Sequence, residues 1–474
     1  MSTESPTQRA ASFLKNLPSV NEILDQTQLR GLVDRFSQPV VVQSVRSVLT
    51  DVRDEVQSAA SEGRMPNLND LADRVVQRIT RLEESPLRPV INATGILLHP
   101  TLGRPPLSLA ALEAMHAVGV DYASIELDLV EGTKSPRIDA VEKLLCDRTG
   151  AEAALVVNNS SAATMLALMS LAGGKEVLVS RGEVVDLGSD YRLPNIIEAA
   201  GACLKDVGTT NGTTLEDYRQ GIGKETGAIL RVHSTNYLIA GKSTFPTMSE
   251  LARLATEKNV PLLQELGAGA LIDCGEFGLL GQPLAQDGIK AGASLVLFSG
   301  DKLLGGPQCG LIVGKKNLIE KMKKHPLYRS LRVDKCTLAG LAATLGLYQD
   351  PDLVKREIPL YQLLSTSIAN LQNRADRLAP QLAALPEIKS AVAQEDVTYL
   401  TGAELPTQML TTYTVALTPQ TGTASQLLDR LRVGTPSLLA RVQEDKLILD
   451  LKTVFPRNDS MILSAFKNLA IEPS

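Results

Sequence analysis

Residues 293–310 read ASLVLFSGDKLLGGPQCG. The apolar run at the start of this stretch predicts a buried strand, and glycines lie on both sides of Lys302, which follows the strand. A lysine is rarely buried unless it has a partner or a chemical role. In a dry pocket the pKa of a lysine falls, and the neutral amine can form a Schiff base with a carbonyl group.

Two interpretations of Lys302 are open from these residues. In the first, Lys302 anchors pyridoxal phosphate (PLP), a cofactor that enzymes hold as a Schiff base with lysine. In the second, Lys302 is a surface residue in a glycine-rich turn, which is the commoner position of a lysine. The glycine-rich segment leads directly into a further apolar strand, Leu311-Ile312-Val313, and this favours the first interpretation.

The composition is that of an ordinary globular enzyme. The chain has 474 residues, of which 44% are hydrophobic and 21% charged, and its length suggests about three domains. Aromatic residues make up only 3% and tryptophan is absent, so the core must consist of Leu, Val, Ile and Ala. A net charge of −5 gives no global attraction to nucleic acid or anionic membranes, although a local basic patch remains compatible with it.

Cysteine and histidine usage favours a cytoplasmic protein without a metal. The five cysteines are scattered and form no C-x-x-C pair, which is typical of reduced thiols rather than of a disulfide framework. None of the four histidines has zinc-ligand spacing from a cysteine. The N-terminus lacks the apolar core of a signal peptide, and no apolar run reaches the roughly 18 residues of a membrane span.

Three domains are predicted from the pattern along the chain. Residues 1–88 show helical periodicity and end at a proline boundary, and either partner binding or dimer packing would explain them. Residues 89–350 alternate strands with helices, which predicts an α/β domain with a mainly parallel sheet covered on both faces. Residues 351–474 read as a separate, small α+β domain that begins with one long helix from about residue 354 to 378.

Candidate phosphate ligands follow two of the predicted strands. Asn159, Ser160 and Ser161 lie between a strand and a helix, where exposed amides and the helix dipole favour a phosphate. A plain helix N-cap explains the same residues. Ser299, three residues before Lys302, is a further candidate donor to a phosphate.

Two other strand ends carry candidate contacts to a cofactor ring. Glu265 ends a buried strand before a Gly-Ala-Gly turn, where its carboxylate would pair with the pyridine nitrogen of PLP or cap the turn. His233 ends another strand and would contact the ring, although a lone histidine at a strand end is more often structural. Ligands of parallel sheets bind at the carboxyl ends of strands, which is where these residues lie.

Three arginines are candidates for binding a substrate anion. Arg329 and Arg332 lie in a segment that mixes charged with apolar residues, and Arg104 lies in a glycine-bearing loop. Guanidinium groups hold tetrahedral oxyanions with pairs of hydrogen bonds. These arginines form a site only if the fold brings them to Lys302.

Several blocks of the sequence, in this order, resemble the family of bacterial L-seryl-tRNA(Sec) selenium transferases, also called selenocysteine synthases. The resemblance runs nearly from end to end. Its blocks are LPSV at residues 17–20, INATG at 91–95, GAEAALVVNN at 150–159, VGTTN at 207–211, SGDKLLGG at 299–306, LRVDK at 331–335 and LILDLKTV at 447–454.

The resemblance implies a fold-type-I PLP-dependent transferase of the aspartate aminotransferase class, in which Lys302 carries the cofactor. Asp301 matches the acid that the family has beside this lysine. Residues 1–88 would recognise tRNA(Sec), and the chain would assemble into a ring of dimers. Arg104, Arg329 and Arg332 match the arginines that the family uses for the selenophosphate anion.

The activity implied by the resemblance is conversion of L-seryl-tRNA(Sec) to L-selenocysteinyl-tRNA(Sec). In that reaction Lys302 would remove the α-proton of the seryl group, and water would leave to give an aminoacrylyl-tRNA bound to PLP. Selenium from selenophosphate would then add to the β-carbon.

The chain departs from the family pattern near the expected site. It has Glu265-Leu266-Gly267-Ala268-Gly269 where the family usually has Asp-Leu-Gly-Ser-Gly, and Gly212 where an arginine is usual. One alternative is a related PLP-dependent lyase that acts on a small amino acid or amino-sugar acid without tRNA. Another is a catalytically silent tRNA-binding or scaffold protein. The helical module at residues 1–88 favours the transferase over the lyase, and the intact Lys302 argues against the silent protein.

Overall fold

The structure is a computed structural model and describes residues 17–57, 67–83, 87–188, 191–402 and 405–469. The chain divides into two compact units between Pro89 and Val90.

The N-terminal unit is helical, as predicted for this part of the chain. Its core consists of aliphatic side chains on one face of each helix, among them Ile23, Val45 and Val75, all fully buried. Ser19 begins the first helix with a capping box, in which its hydroxyl accepts from the Glu22 amide and the Glu22 carboxylate accepts from the Ser19 amide. The helices are α1 (Val20–Leu24), α2 (Thr27–Phe36), α3 (Gln38–Gln57) and α4 (Leu68–Glu83).

The second unit is built around a seven-stranded sheet with the strand order β2-β8-β7-β6-β5-β3-β4. All neighbouring strands run parallel except β8, which is antiparallel to both β2 and β7. The predicted, mainly parallel sheet is thereby confirmed. Its strands are β2 (Ala153–Val157), β3 (Glu176–Ser180), β4 (Cys203–Val207), β5 (Thr226–Val232), β6 (Leu262–Glu265), β7 (Leu295–Ser299) and β8 (Gly310–Gly314).

Helices connect the strands of this sheet and cover it. Every residue of β2, β7 and β8 is buried, which requires cover on both faces. The helices before and within this part of the chain are α5 (Leu109–Gly119), α6 (Asp139–Thr149), α7 (Ser160–Ala172), α8 (Leu193–Ala199), α9 (Leu215–Gly221), α10 (Met248–Glu257), α11 (Ala285–Lys290), α12 (Lys316–Lys323), α13 (Pro326–Ser330) and α14 (Lys335–Leu347).

The same unit contains a five-stranded sheet with the order β1-β11-β12-β10-β9. The first strand, β1, is parallel to β11, and the other neighbours are antiparallel. In the sequence, β1 comes before the strands of the large sheet and the other four strands come after them. The small sheet therefore combines two separate parts of the chain. Its strands are β1 (Val90–Ala93), β9 (Ile388–Tyr399), β10 (Met409–Pro419), β11 (Ser437–Gln443) and β12 (Lys446–Asp450). The domain limits at residues 88/89 and 350/351 stay predictions.

The single long helix predicted over residues 354–378 is wrong. Pro359 has no amide hydrogen to donate, and the residue before it, Ile358, has an extended backbone that ends one helix and begins the next. Ser367 then caps a third helix by accepting from the Asn370 amide. The helices of this region are α15 (Pro351–Glu357), α16 (Pro359–Ser365), α17 (Ile368–Ala383), α18 (Ala424–Val433) and α19 (Asp459–Leu469).

No helix within the described ranges is long and apolar enough to cross a membrane. No group of three or more His, Cys, Asp or Glu side chains in the same ranges is placed to hold a metal ion.

A close backbone approach joins β8 to the turn after β2. A Cβ atom on Gly310, the first residue of β8, would lie 2.0 Å from the carbonyl oxygen of Asn159. We therefore expect Gly310→Ala to lower the free energy of unfolding by about 1–3 kcal/mol, the usual cost of forcing a methyl group into a packed core. Urea unfolding followed by circular dichroism measures this difference.

Gly346→Ala is the matched control. Gly346 lies inside α14, where an added Cβ meets nothing within 4 Å. Alanine is about 1 kcal/mol better than glycine in a helix interior, so this variant should be at least as stable as the wild type. Equal stability of the two variants would contradict the close approach at Gly310.

Candidate active site

A cavity of about 830 Å³ lies at the carboxyl ends of β2, β6 and β7. A polar residue that lines this cavity stands at or just after the end of each of these strands, because their carboxyl ends meet at one edge of the sheet. Of the eleven site residues predicted from the sequence, those that line the cavity are Arg104, Asn159, Ser160, Ser161, Glu265, Ser299, Asp301 and Lys302. His233, Arg329 and Arg332 do not line it.

Lys302 is partly buried on the loop after β7. Its ammonium group donates to the carbonyl oxygen of Gly267 at 3.3 Å, and in the described part of the chain it forms no ion pair. Burial lowers the pKa of Lys302, and the positive charge of Arg104 lowers it further, against the opposite effects of Asp301 and Glu265. The Lys302 amine is therefore neutral more often than that of an ordinary lysine, as Schiff-base chemistry requires.

Arg104 is held beside Lys302 by a strained loop. Its φ of 67° is in the left-handed region, which a residue with a side chain rarely adopts. Its Nη1 donates to the Leu98 carbonyl oxygen at 2.8 Å, and its Nε lies 3.9 Å from a carboxylate oxygen of Asp301. The contact to Asp301 fixes the guanidinium group at the rim of the cavity next to the lysine.

Glu265 is the last residue of β6 and is only 2% exposed. Both of its carboxylate oxygens accept from the hydroxyl of Tyr191, at 2.9 and 3.1 Å. Burial raises the pKa of Glu265, whereas hydrogen bonding by Tyr191 and the charge of Lys302 oppose that rise. Sequence reasoning missed Tyr191, which lies 74 residues away in the chain, and no motif marks it.

The turn after β2 carries the candidate phosphate ligands. Asn159 is the N-cap of the 13-residue helix α7, and its side chain accepts from the Ala162 amide at 2.8 Å. Ser160 and Ser161 occupy the first two positions of that helix, where backbone amides have no partner within the helix. Ser299 ends β7 and is buried. This edge of the cavity therefore combines a helix start with three hydroxyl groups.

His233 lies next to the cavity edge without lining it. Its backbone amide donates to the Glu265 carbonyl oxygen at 2.9 Å, which continues the pairing of β5 with β6. Burial lowers the pKa of the imidazole and so favours its neutral form. Its predicted contact to the cofactor ring stays a prediction. Gly212, the second departure from the family pattern, lies in a turn where its carbonyl accepts from the Thr209 amide and does not line the cavity.

The other two arginines lie apart from Arg104. Arg329 is exposed in the last turn of α13. Arg332 has its Nη1 3.7 Å from a carboxylate oxygen of Glu126 and its guanidinium carbon 5.5 Å from the centre of the Tyr328 ring. The Nε of Arg137 donates to the same oxygen of Glu126 at 2.9 Å. The predicted role of Arg329 and Arg332 in anion binding stays a prediction.

Comparison with known proteins shows the family of the chain. The family model described as L-seryl-tRNA selenium transferase matches residues 90–455, and the one described as selenocysteine synthase N terminal matches residues 14–53. The chain belongs to the L-seryl-tRNA selenium transferase family. This confirms the resemblance inferred from its sequence blocks.

Individual relatives are similar in sequence to this chain over nearly its whole length. A protein from Carboxydothermus hydrogenoformans is 40% identical over 93% of this chain and 94% of its own length. One from Geobacter sulfurreducens is 38% identical over 97% of this chain and 100% of its own length. Both are named L-seryl-tRNA(Sec) selenium transferase.

Solved structures support the predicted fold. The structure of a D-glucosaminate-6-phosphate ammonia-lyase is similar with a TM-score of 0.58 at 19% identity, over 86% of this chain and 99% of that one. At that identity the similarity concerns the fold alone. Family and fold together confirm a fold-type-I enzyme with pyridoxal phosphate as its cofactor.

The charge of Arg104 gives a pH-dependent prediction. Because the positive charge of Arg104 lowers the pKa of Lys302, Arg104→Gln should raise that pKa. Fewer Lys302 amines are then neutral at a given pH, so PLP loading should slow about threefold near neutral pH. The whole pH–rate profile should move to higher pH. Stopped-flow absorbance of PLP added to cofactor-free protein measures the rate.

Arg181→Gln serves as the control for a lost positive charge. Arg181 pairs with Asp206 at the surface and does not line the cavity. Its pH–rate profile should coincide with that of the wild type. A profile of Arg104→Gln that stays in place, or moves to lower pH, would show that Arg104 does not act on the lysine.

Proposed function

We propose that the chain converts L-seryl-tRNA(Sec) to L-selenocysteinyl-tRNA(Sec) with selenophosphate as the selenium donor. The observation that carries this proposal is that the chain matches, over nearly its whole length, relatives named L-seryl-tRNA(Sec) selenium transferase. The partly buried Lys302 in the cavity agrees with it. The N-terminal match at residues 14–53 favours this activity over the lyase without tRNA. Because charged tRNA is its substrate, we place the reaction in the cytoplasm.

The cavity has residues that suit each part of PLP. The Lys302 amine, with its lowered pKa, suits the aldehyde, and the buried Glu265 carboxylate suits a protonated ring nitrogen. The helix start at Ser160 and Ser161, with Ser299, suits the phosphate. Bound PLP supplies an electron sink for the charge that develops at the α-carbon of the substrate.

Lys302 has a second role in this proposal, as the base. Once its amine is free, it takes the α-proton of the seryl group, since the lowered pKa of Lys302 leaves more of the amine unprotonated and able to accept a proton. Asp301 keeps Arg104 beside this lysine through their 3.9 Å contact. Arg104 would then orient and neutralise the oxyanion of the selenium donor.

We propose that Arg329 and Arg332 also bind the donor anion, on the basis of the LRVDK block at residues 331–335. We further propose a homo-oligomer, a ring of dimers. Exposed apolar side chains are frequent along residues 109–130, the segment that also contains Glu126, the partner of Arg332, and exposed apolar surface is typical of protein interfaces. These side chains are Leu109, Leu112, Val120, Tyr122, Leu127, Leu129 and Val130.

A turnover assay with purified seryl-tRNA(Sec) and selenophosphate tests the activity. The wild type should form selenocysteinyl-tRNA only when both substrates are present, as measured by mass spectrometry of the released amino acid. Lys302→Ala should lose the absorption band of lysine-bound PLP and at least about a thousandfold in turnover, since it removes both the anchor and the base.

Lys290→Ala is the matched control, because Lys290 is an exposed lysine at the end of α11. It should keep both the band and the turnover. A wild type that binds PLP but leaves seryl-tRNA unchanged would overturn the proposed activity. A retained absorption band in Lys302→Ala would overturn the lysine assignment alone.

Residues 1–88 are proposed to bind tRNA(Sec). Since residues up to Pro89 form a compact unit with a core of their own, their deletion should leave PLP binding intact. The deleted protein should lose tRNA(Sec) affinity by at least about tenfold, about 1.4 kcal/mol, in a filter-binding assay at fixed salt. Undiminished tRNA affinity, with PLP bound normally, would refute the role of this unit.

A further inference from the structure

The buried carboxylate of Glu265 depends on one tyrosine. The hydroxyl of Tyr191 lies 2.9 Å from one carboxylate oxygen and 3.1 Å from the other, so a single donor spans both. Both side chains line the active-site cavity. Within the described ranges, no arginine, lysine or histidine forms an ion pair with Glu265.

The groups that face Glu265 compete over its protonation state. Burial favours the neutral acid, whereas the hydrogen bond from Tyr191 and the charge of Lys302 favour the carboxylate. From the adjoining strand β5, the neutral His233 contributes a backbone contact rather than a charge. Tyr191 itself stays protonated, because burial and the nearby Glu265 raise the pKa of its hydroxyl. It is therefore a permanent donor at this position.

The backbone of Tyr191 is hydrogen-bonded on both sides of its Cα. The Leu187 amide donates to the Tyr191 carbonyl oxygen at 2.9 Å, and the Tyr191 amide donates to the Gly188 carbonyl oxygen at 3.0 Å. The neighbouring Arg192 forms an ion pair with Asp186 at 2.7 Å. These contacts fix the backbone position from which the Tyr191 side chain reaches Glu265.

We propose that Tyr191 is a positioning residue that keeps Glu265 ionised and aimed at the ring nitrogen of the cofactor. The inference rests on the proposed role of Glu265. A glutamate has three side-chain torsions, and the spanning hydroxyl selects the conformer that faces the cavity. Tyr191 thus acts on the cofactor through Glu265 rather than by touching it.

The test measures PLP binding and colour rather than turnover. In Tyr191→Phe, PLP should bind about three- to tenfold more weakly to cofactor-free protein. The pH midpoint of the colour change of lysine-bound PLP should move up by about half a unit. The physical reason is that a ring nitrogen without an ionised partner loses its proton and withdraws less charge from the Schiff-base nitrogen. Unchanged affinity with an unchanged or lowered midpoint would overturn the proposal.

A double variant separates positioning from a direct contact. Glu265→Gln should shift affinity and midpoint in the same directions, and Tyr191→Phe added to it should change neither further. Additive effects would show that Tyr191 contacts the cofactor independently and would also overturn the proposal. Tyr237→Phe is the control, because its hydroxyl donates to the Gly182 carbonyl and not to Glu265. It should match the wild type.

A second substitution guards against loss of folding. Replacing Tyr191 by 3-fluorotyrosine keeps the shape of the ring and makes the hydroxyl a stronger hydrogen-bond donor. The pH midpoint of the colour change should therefore move to lower pH. No shift of this midpoint, or an upward one, would overturn the proposal. All these measurements use PLP alone. A wild type that binds PLP but makes no selenocysteinyl-tRNA would refute the proposed substrate and leave this inference standing.

Discussion

Lys302 and Glu265, two groups of opposite charge, are withdrawn from solvent in one cavity, and neither forms a direct ion pair there with the other. Burial shifts the pKa of each toward its neutral form. Removing charges from water without a partner is costly, so proteins keep such groups where they serve a function. PLP offers a partner to both groups. Its aldehyde forms a Schiff base with the amine, and its protonated ring nitrogen pairs with the carboxylate. The cavity is thus chemically complementary to this cofactor.

The backbone of the large sheet determines where the polar residues of the site lie. The strands β2, β6 and β7 end at one edge of the sheet, and Asn159, Glu265 and Ser299 lie at or just after those strand ends. The antiparallel strand β8 adds a constraint, since Gly310 lies against the carbonyl of Asn159 with no room for a Cβ. The position of the α7 N-terminus is therefore fixed by two strands at once, which suits the phosphate binding proposed for it.

Much of this arrangement could be predicted from the sequence, because it depends on local patterns. Buried strands are short apolar runs, and the residue after each run falls at the sheet edge. The strand β9 gives no such signal, since only two of its twelve residues, Ile388 and Thr398, are buried. The contact of Tyr191 with Glu265 joins residues 74 positions apart, and only the folded chain shows it. The prediction of one long helix was wrong because the helical periodicity of the sequence continues through Pro359. Proline has no amide hydrogen to donate, and the helix is divided there.

The residues that suit PLP lie together in one cavity of a single chain, whereas the residues proposed for the donor anion do not. The part that suits PLP is assembled from strand ends of the large sheet, and Tyr191 completes it. The part that would bind the donor anion is divided, since Arg104 lines the cavity while Arg332 pairs with Glu126. The exposed apolar residues Leu127, Leu129 and Val130 follow Glu126 in the chain, so the surroundings of Arg332 would change if these residues were covered. If the donor binds as proposed, binding of the cofactor and binding of the donor are separable properties, and the proposed assembly would affect the second more than the first.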